Sequence, residues 1–395
     1  MSCTQWIDIE LATLQQQGLR RQLQPYAGVG AHVDAGAAAG SGALLNASSN
    51  DYLGLSRHPH VLATAQAALA KYGAGATASR LVCGTLTLHE QLEQRLAAHK
   101  GYDSALVMGS GFVTNATVLP ALVGRDDYVF ADRLVHASLI DGIRLSQARL
   151  QRFRHNDTAH LQQLLAAAGQ RGRRLVVTES VFSMDGDLAP LAEIAALAEA
   201  AGAMLLVDEA HAMGVFGPHG SGLVRAAGIQ AQVTLCMGTL SKGLGSYGGY
   251  VACSSKVRDW LINRCRGFVY STALPPAALG AALGALDVLD AEPQIGATLL
   301  ARAAALRAVL QSHGCDVGAS ASQIIPIMLG DAATTLRVSA SLRQRGILAV
   351  AIRPPTVPAG SSRLRLSLSL EHDDADLMRL GNEISQAILT RTPAC

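Results

Sequence analysis

Residues 188–211 read LAPLAEIAALAEAAGAMLLVDEAH. Leu, Ile and Ala first recur at three- and four-residue steps, the period of an amphipathic helix. The run Met204–Val207 is then continuously apolar and short, as in a strand buried on both faces. A polar group, Asp208-Glu209-Ala210-His211, follows at once. The same alternation extends outward from about Asn50 to Ser254. Further apolar runs lie at Ser104–Met108, Tyr128–Ala131, Leu175–Thr178, Val233–Met237 and Tyr250–Cys253. Strands alternating with helices predict an α/β fold, with a mostly parallel central sheet and helices on both faces.

On either side the texture changes. Residues 5–22 predict an amphipathic helix, and the Gly/Ala-rich stretch Gly28–Gly42 predicts a loop or hairpin linker. After Pro275-Pro276 a helix over Ala277–Ala291 leads into strand Ile324–Leu329, helix Thr334–Arg345, strand Val350–Arg353 and the segment Arg363–Ser369. This predicts an amino-terminal helix and linker arm (1–49), a large domain (50–287) and a smaller α+β carboxyl-terminal domain (288–395). No fixed repeat of 20–50 residues runs through the chain.

Of the 395 residues 49% are hydrophobic and 16% charged, enough apolar surface for a sizeable core, which excludes overall disorder. A net charge of +2 argues against a nucleic-acid binder. The seven cysteines are scattered without a C-x-x-C pair, as expected of isolated buried thiols in a reducing cytoplasm. They offer no structural zinc cluster. The amino terminus lacks a signal-peptide core, and the longest uncharged small-residue run, Ala277–Leu286, falls far short of the ~20 residues needed to span a bilayer. The sequence therefore predicts a cytoplasmic protein without membrane segments. Only Lys71, Lys100, Lys242 and Lys256 are lysines, so any chemistry needing a primary amine must use one of these four.

In an open parallel sheet, ligands bind beyond the carboxyl ends of the strands. There the sequence places Gly109-Ser110-Gly111-Phe112, then Glu179 with Ser183-Met184-Asp185-Gly186, then Asp208 with His211, and Gly238-Thr239-Leu240-Ser241-Lys242-Gly243. The Gly109–Phe112 turn lacks the third glycine of a dinucleotide fingerprint, since Thr114 stands there. The tetrapeptide Asp208–His211 imitates an ATPase motif, but no lysine is followed by Ser or Thr, so no phosphate loop exists. Read alone, a strand-end Asp is a helix cap, a lone His a core residue and a lone Lys a surface charge. Lys242 differs because glycines surround it, which allows a ligand close approach. Pyridoxal 5′-phosphate (PLP) needs these parts together: an amine, an anion beside the ring nitrogen and a phosphate cup. Asp208 suits the ring nitrogen, His211 or Ser183 the phenolic oxygen, and His136 the ring face.

The sequence resembles the α-oxoamine synthases, PLP enzymes of fold type I that condense an amino acid with an acyl thioester. The resembling segments are Ser48–Leu55 (SSNDYLGL), Ser79–Leu92, Gly109–Asn115, Asp132–Leu139 (DRLVHASL), Thr178–Glu193, Asp208–Gly214, Thr239–Gly249, Tyr270–Thr272 and Ile352–Leu368, nearly the whole chain. The resemblance implies that Lys242, three residues after Thr239, is the Schiff-base lysine. It likewise implies Asp208 and His211 at the cofactor, His136 stacked on the ring and in contact with substrate, Ser183 at the phenolic oxygen, and Gly111-Phe112 on the phosphate side. The segment Ala351–Pro358 (AIRPPTVP) resembles the biotin-pathway branch, which uses L-alanine and a pimeloyl thioester. That branch implies Arg353 at the amino-acid carboxylate, Thr356 at the substrate and Arg20 at the acyl group. It also implies a homodimer, with coenzyme A or a transiently bound acyl carrier protein delivering the acyl chain. A glycine-using member of the family is the alternative. Gly75–Ser79 departs from the glycine-richer run usual in the family.

Overall fold

A computed structural model describes residues 3–35, 42–169 and 171–389. The chain divides into two compact units. The larger takes Asn50–Ser183 and Asp187–Leu300; the smaller takes the first 49 residues, Met184–Gly186 and the chain from Ala301 onward. The amino-terminal residues, expected to form a separate arm, thus belong to the smaller unit. The division near the carboxyl end lies inside the helix Ile295–Ser312 rather than at residue 288.

The first strands are β1 (His32–Asp34) and β2 (Ala43–Asn46), an antiparallel pair in the smaller unit. The larger unit then lays down β3 (Ser104–Met108), β4 (Tyr128–Asp132), β5 (Arg149–Phe153), β6 (Arg174–Glu179), β7 (Met204–Asp208), β8 (Leu235–Thr239) and β9 (Gly249–Cys253). They form one sheet in the order β3-β9-β8-β7-β6-β4-β5, with β9 antiparallel to both its neighbours. The apolar runs form these strands because helices cover both faces: Leu106, Val129, Val176, Val207, Leu235 and Val251 are all fully buried. Strand β5, Arg-Leu-Gln-Arg-Phe, was not anticipated. It is an edge strand whose residues are mostly exposed, so it carries no apolar run.

The smaller unit adds β10 (Ile324–Gly330), β11 (Ile347–Leu348), β12 (Val350–Ile352) and β13 (Ser362–Ser367). Strands β10, β13 and β12 pair antiparallel, while β11 joins β2 in parallel, Leu45 opposite Ile347. The first helix, Gln5–Gln16, is shorter than expected and has no buried residue. Cys236, Cys253, Cys265 and Cys315 are buried free thiols, but Cys3 and Cys83 are exposed; Cys395 lies outside the described residues. Among the described residues no helix is long and apolar enough to cross a membrane.

Candidate active site

Five chain segments bring polar side chains to the carboxyl edge of the large sheet. Strand β7 ends at Asp208, directly opposite Glu179 at the end of β6. Asp208 is buried; its Oδ1 accepts from the Ala210 N–H at 2.9 Å and its Oδ2 from Asn115 Nδ2 at 2.7 Å. Asn115 lies in the helix Gly111–Leu122 that follows β3. The same Nδ2 donates to Ser138 Oγ at 3.1 Å, and Ser138 Oγ lies 2.7 Å from His136 Nδ1.

His136 caps the helix Ala137–Ser146, its Nδ1 accepting from the Ser138 N–H at 3.2 Å. Because a backbone donor meets Nδ1, the neutral ring carries its proton on Nε2. An edge of His136 is exposed, yet its inner surroundings lower its pKa: burial acts first, Asp208 opposes and the charge of Lys242 adds. Its backbone N–H donates to Glu179 Oε1. Burial, then the nearby Asp208, push the Glu179 carboxyl well above its ordinary range, while Lys242 pulls it down.

After β8 the chain turns to present Lys242. Thr239 fastens this turn, donating from Oγ1 to the Gly248 carbonyl at 2.8 Å and accepting from the Ser241 N–H at 3.2 Å. The glycines around Lys242 have a different cause from the one expected. A Cβ on Gly249 would lie 2.4 Å from Thr114 Oγ1, and one on Gly245, at φ +60°, would lie 2.3 Å from the Ser56 nitrogen. At these two positions the protein's own chain makes the close approach. Lys242 Nζ stands 2.7 Å from His211 Nε2, and His211 Nδ1 lies 2.6 Å from the Tyr52 oxygen.

The helix after β3 begins at Gly111, against Met237 and Thr239. Ser110 caps it by accepting from the Val113 N–H, and the N–H groups of Gly111 and Phe112 point out of its first turn without hydrogen-bond partners among the described residues. Phe112 is exposed, and Ser183 is half-buried after β6. The donor set fits PLP: an amine, a held carboxylate, backbone donors at a helix start for a phosphate, and the unpaired buried Asn115 Oδ1 beside them.

In the smaller unit Arg353 follows β12 and donates to the Gly18 carbonyl. Arg21 Nη2 donates to Thr356 Oγ1 at 3.0 Å. Burial, and then the charge of Arg21, lower the pKa of Arg353. Arg21 thus stands beside Thr356; it and Arg20, the arginine expected at the acyl substrate, are both exposed.

Sequence reading left Tyr52, Asn115, Ser138 and Glu179 without roles. Glu179 was visible as a strand end, but hydrogen bonds to Asp208, His136 and His211 leave no periodic trace. Glu209, in the false ATPase motif, is fully buried; it pairs with Lys100 and accepts from the Val224 N–H at 2.9 Å.

The profile of the class I and II aminotransferases matches residues 43–384. Among solved structures, serine palmitoyltransferase with a PLP internal aldimine superposes with a TM-score of 0.90 at 30% identity, covering 98% of both chains. The 8-amino-7-oxononanoate synthase of Francisella tularensis gives 0.77 at 29% identity, covering 88% of this chain and 98% of that one. In sequence, the 8-amino-7-oxononanoate synthase of Anaeromyxobacter dehalogenans (strain 2CP-1) is 51% identical over 372 residues, 94% of this chain and 92% of the relative. The chain belongs to the 8-amino-7-oxononanoate synthase family. This synthase family sits within the fold-type I PLP enzymes, and the large sheet with its smaller α+β partner has that architecture. Identity to the Anaeromyxobacter synthase, 51% over nearly the whole chain, is well above the 29–30% shared with either solved structure.

Proposed function

We propose that this chain is a PLP-dependent acyltransferase of biotin biosynthesis. It condenses L-alanine with a pimeloyl thioester to give 8-amino-7-oxononanoate, carbon dioxide and the free thiol. The observation that carries the reading is the Lys242–His211 contact at 2.7 Å, on the sheet edge that also holds buried Asp208. The reading is supported by half-identity to named synthases across nearly the whole chain.

Bound PLP supplies an aldehyde for amino groups and a protonated ring that accepts electron density from the adjoining carbon. Lys242 would hold it through the ε-amine and, once displaced by L-alanine, remove the proton from the amino-acid α-carbon. Asp208, gripped by two N–H donors, presents its carboxylate to the ring nitrogen. His136, with Nδ1 engaged by Ser138, offers Nε2–H at the ring face and the incoming substrate. His211 and Ser183 serve the phenolic oxygen. Gly111 and Phe112 direct backbone N–H groups at the phosphate, while Thr239 holds the turn of Lys242 in place. Arg353 grips the amino-acid carboxylate with a planar fork of donors, and Thr356 with Arg20 or Arg21 meets the acyl chain. The active form is a homodimer, and the acyl group arrives on coenzyme A or on a transiently docked acyl carrier protein.

The purified protein is expected to be yellow. Borohydride reduction followed by peptide mapping should leave the pyridoxyl group on Lys242, and Lys242→Ala should be colourless; label on another lysine would sink the assignment. L-alanine, glycine and L-serine, each tried with pimeloyl, succinyl and palmitoyl thioesters, separate the branches. Turnover should be highest with L-alanine and the pimeloyl thioester, whereas a preference for glycine with succinyl thioester would overturn the biotin reading.

A further inference from the structure

Tyr52 has no place in the chemistry above, yet it is fully buried behind it. Its phenolic oxygen lies 2.6 Å from His211 Nδ1 and donates to Asn50 Oδ1 at 3.1 Å. A phenol has a single proton to give. With that proton directed at Asn50, the oxygen faces Nδ1 as an acceptor, so the imidazole proton sits on Nδ1. His211 Nε2 is then bare toward Lys242 Nζ, 2.7 Å away, and accepts from the ammonium.

We propose that Tyr52 is a positioning residue that fixes the tautomer of His211 and thereby sets the proton affinity of the Lys242 amine. The proposal rests on the reading of Lys242 as the cofactor lysine, because only a freed amine needs this control. The other ionisable groups at these strand ends are His136 and Glu179, which respond to the charge of Lys242, and Asp208. The Tyr52 hydroxyl bonds to Asn50 and to His211, so removing it acts on the lysine through His211.

The chain's four lysines make the test direct. In the full-length protein freed of cofactor, trace acetylation by acetic anhydride across a pH series, read by peptide mass spectrometry, titrates each amine. Exposed Lys71 and Lys256 act as internal references and buried Lys100 as a silent control. Tyr52→Phe should lower the Lys242 midpoint by about half to one pH unit, the scale of one weakened charge-assisted hydrogen bond. The two references should not move. Isosteric 3-fluorotyrosine at position 52, a poorer acceptor, should shift the midpoint the same way by less. In a His211→Ala background Tyr52→Phe should add no shift. An unchanged midpoint in both Tyr52 variants, or an equal shift without His211, overturns the proposal. A purely structural role would lower Tm and leave the midpoint where it was, which also overturns it. Failure of the parent reading shows elsewhere, as borohydride label away from Lys242 in the wild-type holoenzyme.

Discussion

Lys100 lies at the end of the helix Thr87–Lys100 with its side chain wholly buried, its ammonium bonded to the Glu209 carboxylate and the Ser221 carbonyl. Removing one partner of such a pair strands the other charge without water, which costs far more than the pair itself contributes. Lys100→Met should therefore destabilise the protein by about 3–5 kcal/mol in denaturant unfolding. Lys100→Met combined with Glu209→Gln should recover most of that loss, because no lone charge remains. From sequence, Lys71, Lys100 and Lys256 all read as ordinary surface charges. For Lys100 that reading fails because its partner is 109 residues away, and a single residue has no period to betray burial. Lys242 was legible for the opposite reason: its neighbours repeat small residues past a strand end. Thr356 and Arg353 were legible as members of one motif. The choice between Arg20 and Arg21 was not, since adjacent side chains on an irregular segment share every local signal.

At the scale of elements, the buried strands of the large sheet announced themselves as apolar runs, and β5 escaped because an edge strand buries too little to need one. Two connections carry further consequences. In the segment Gly75–Ser79, Thr77 sits at φ +60°, a region that costs an L-residue about 1–2 kcal/mol. Thr77→Gly should relieve that strain and, after the added freedom of the unfolded chain, stabilise by about 0.5–1 kcal/mol in thermal or denaturant unfolding. The second is an ionic clamp between the end of β4 and the loop that follows β6. His155, just past β5, meets Asp132 through Nδ1 at 3.0 Å and Asp187 through Nε2 at 2.7 Å. Burial disfavours its charge, but the two carboxylates outweigh it and raise the pKa to about 10. A raised folded-state pKa adds stability that is complete below the unfolded value of about 6.5 and fades as pH rises toward the folded one. The Tm difference between wild type and His155→Gln should accordingly be largest at pH 6 and shrink steadily toward pH 10. A difference that grows with pH would show that the clamp is not charged.

For the whole molecule, the α/β class and the site edge could be read from the chain because local period and strand-end chemistry agreed. The grouping into units could not, since it depends on pairings between the two termini. Strand β2 joins β11, the Ala31 N–H donates to Glu371 at 2.9 Å, and buried His372 reaches the Asn46 carbonyl at 3.1 Å. Deleting residues through Gln16, which removes a helix with no buried residue, should leave Tm within about 1–2 °C of the full chain. Deleting through Asn46 should instead abolish cooperative folding of the smaller unit, seen as a lost transition in calorimetry and as dye binding to exposed apolar surface. The same pairing sets a clock on biosynthesis. Asn46 must wait for Leu348 to leave the ribosome, and at roughly 5–20 residues per second that interval is on the order of 15–60 s. Throughout it the larger unit can complete its sheet, while the nascent β2 edge stays open to any chaperone that reaches it first.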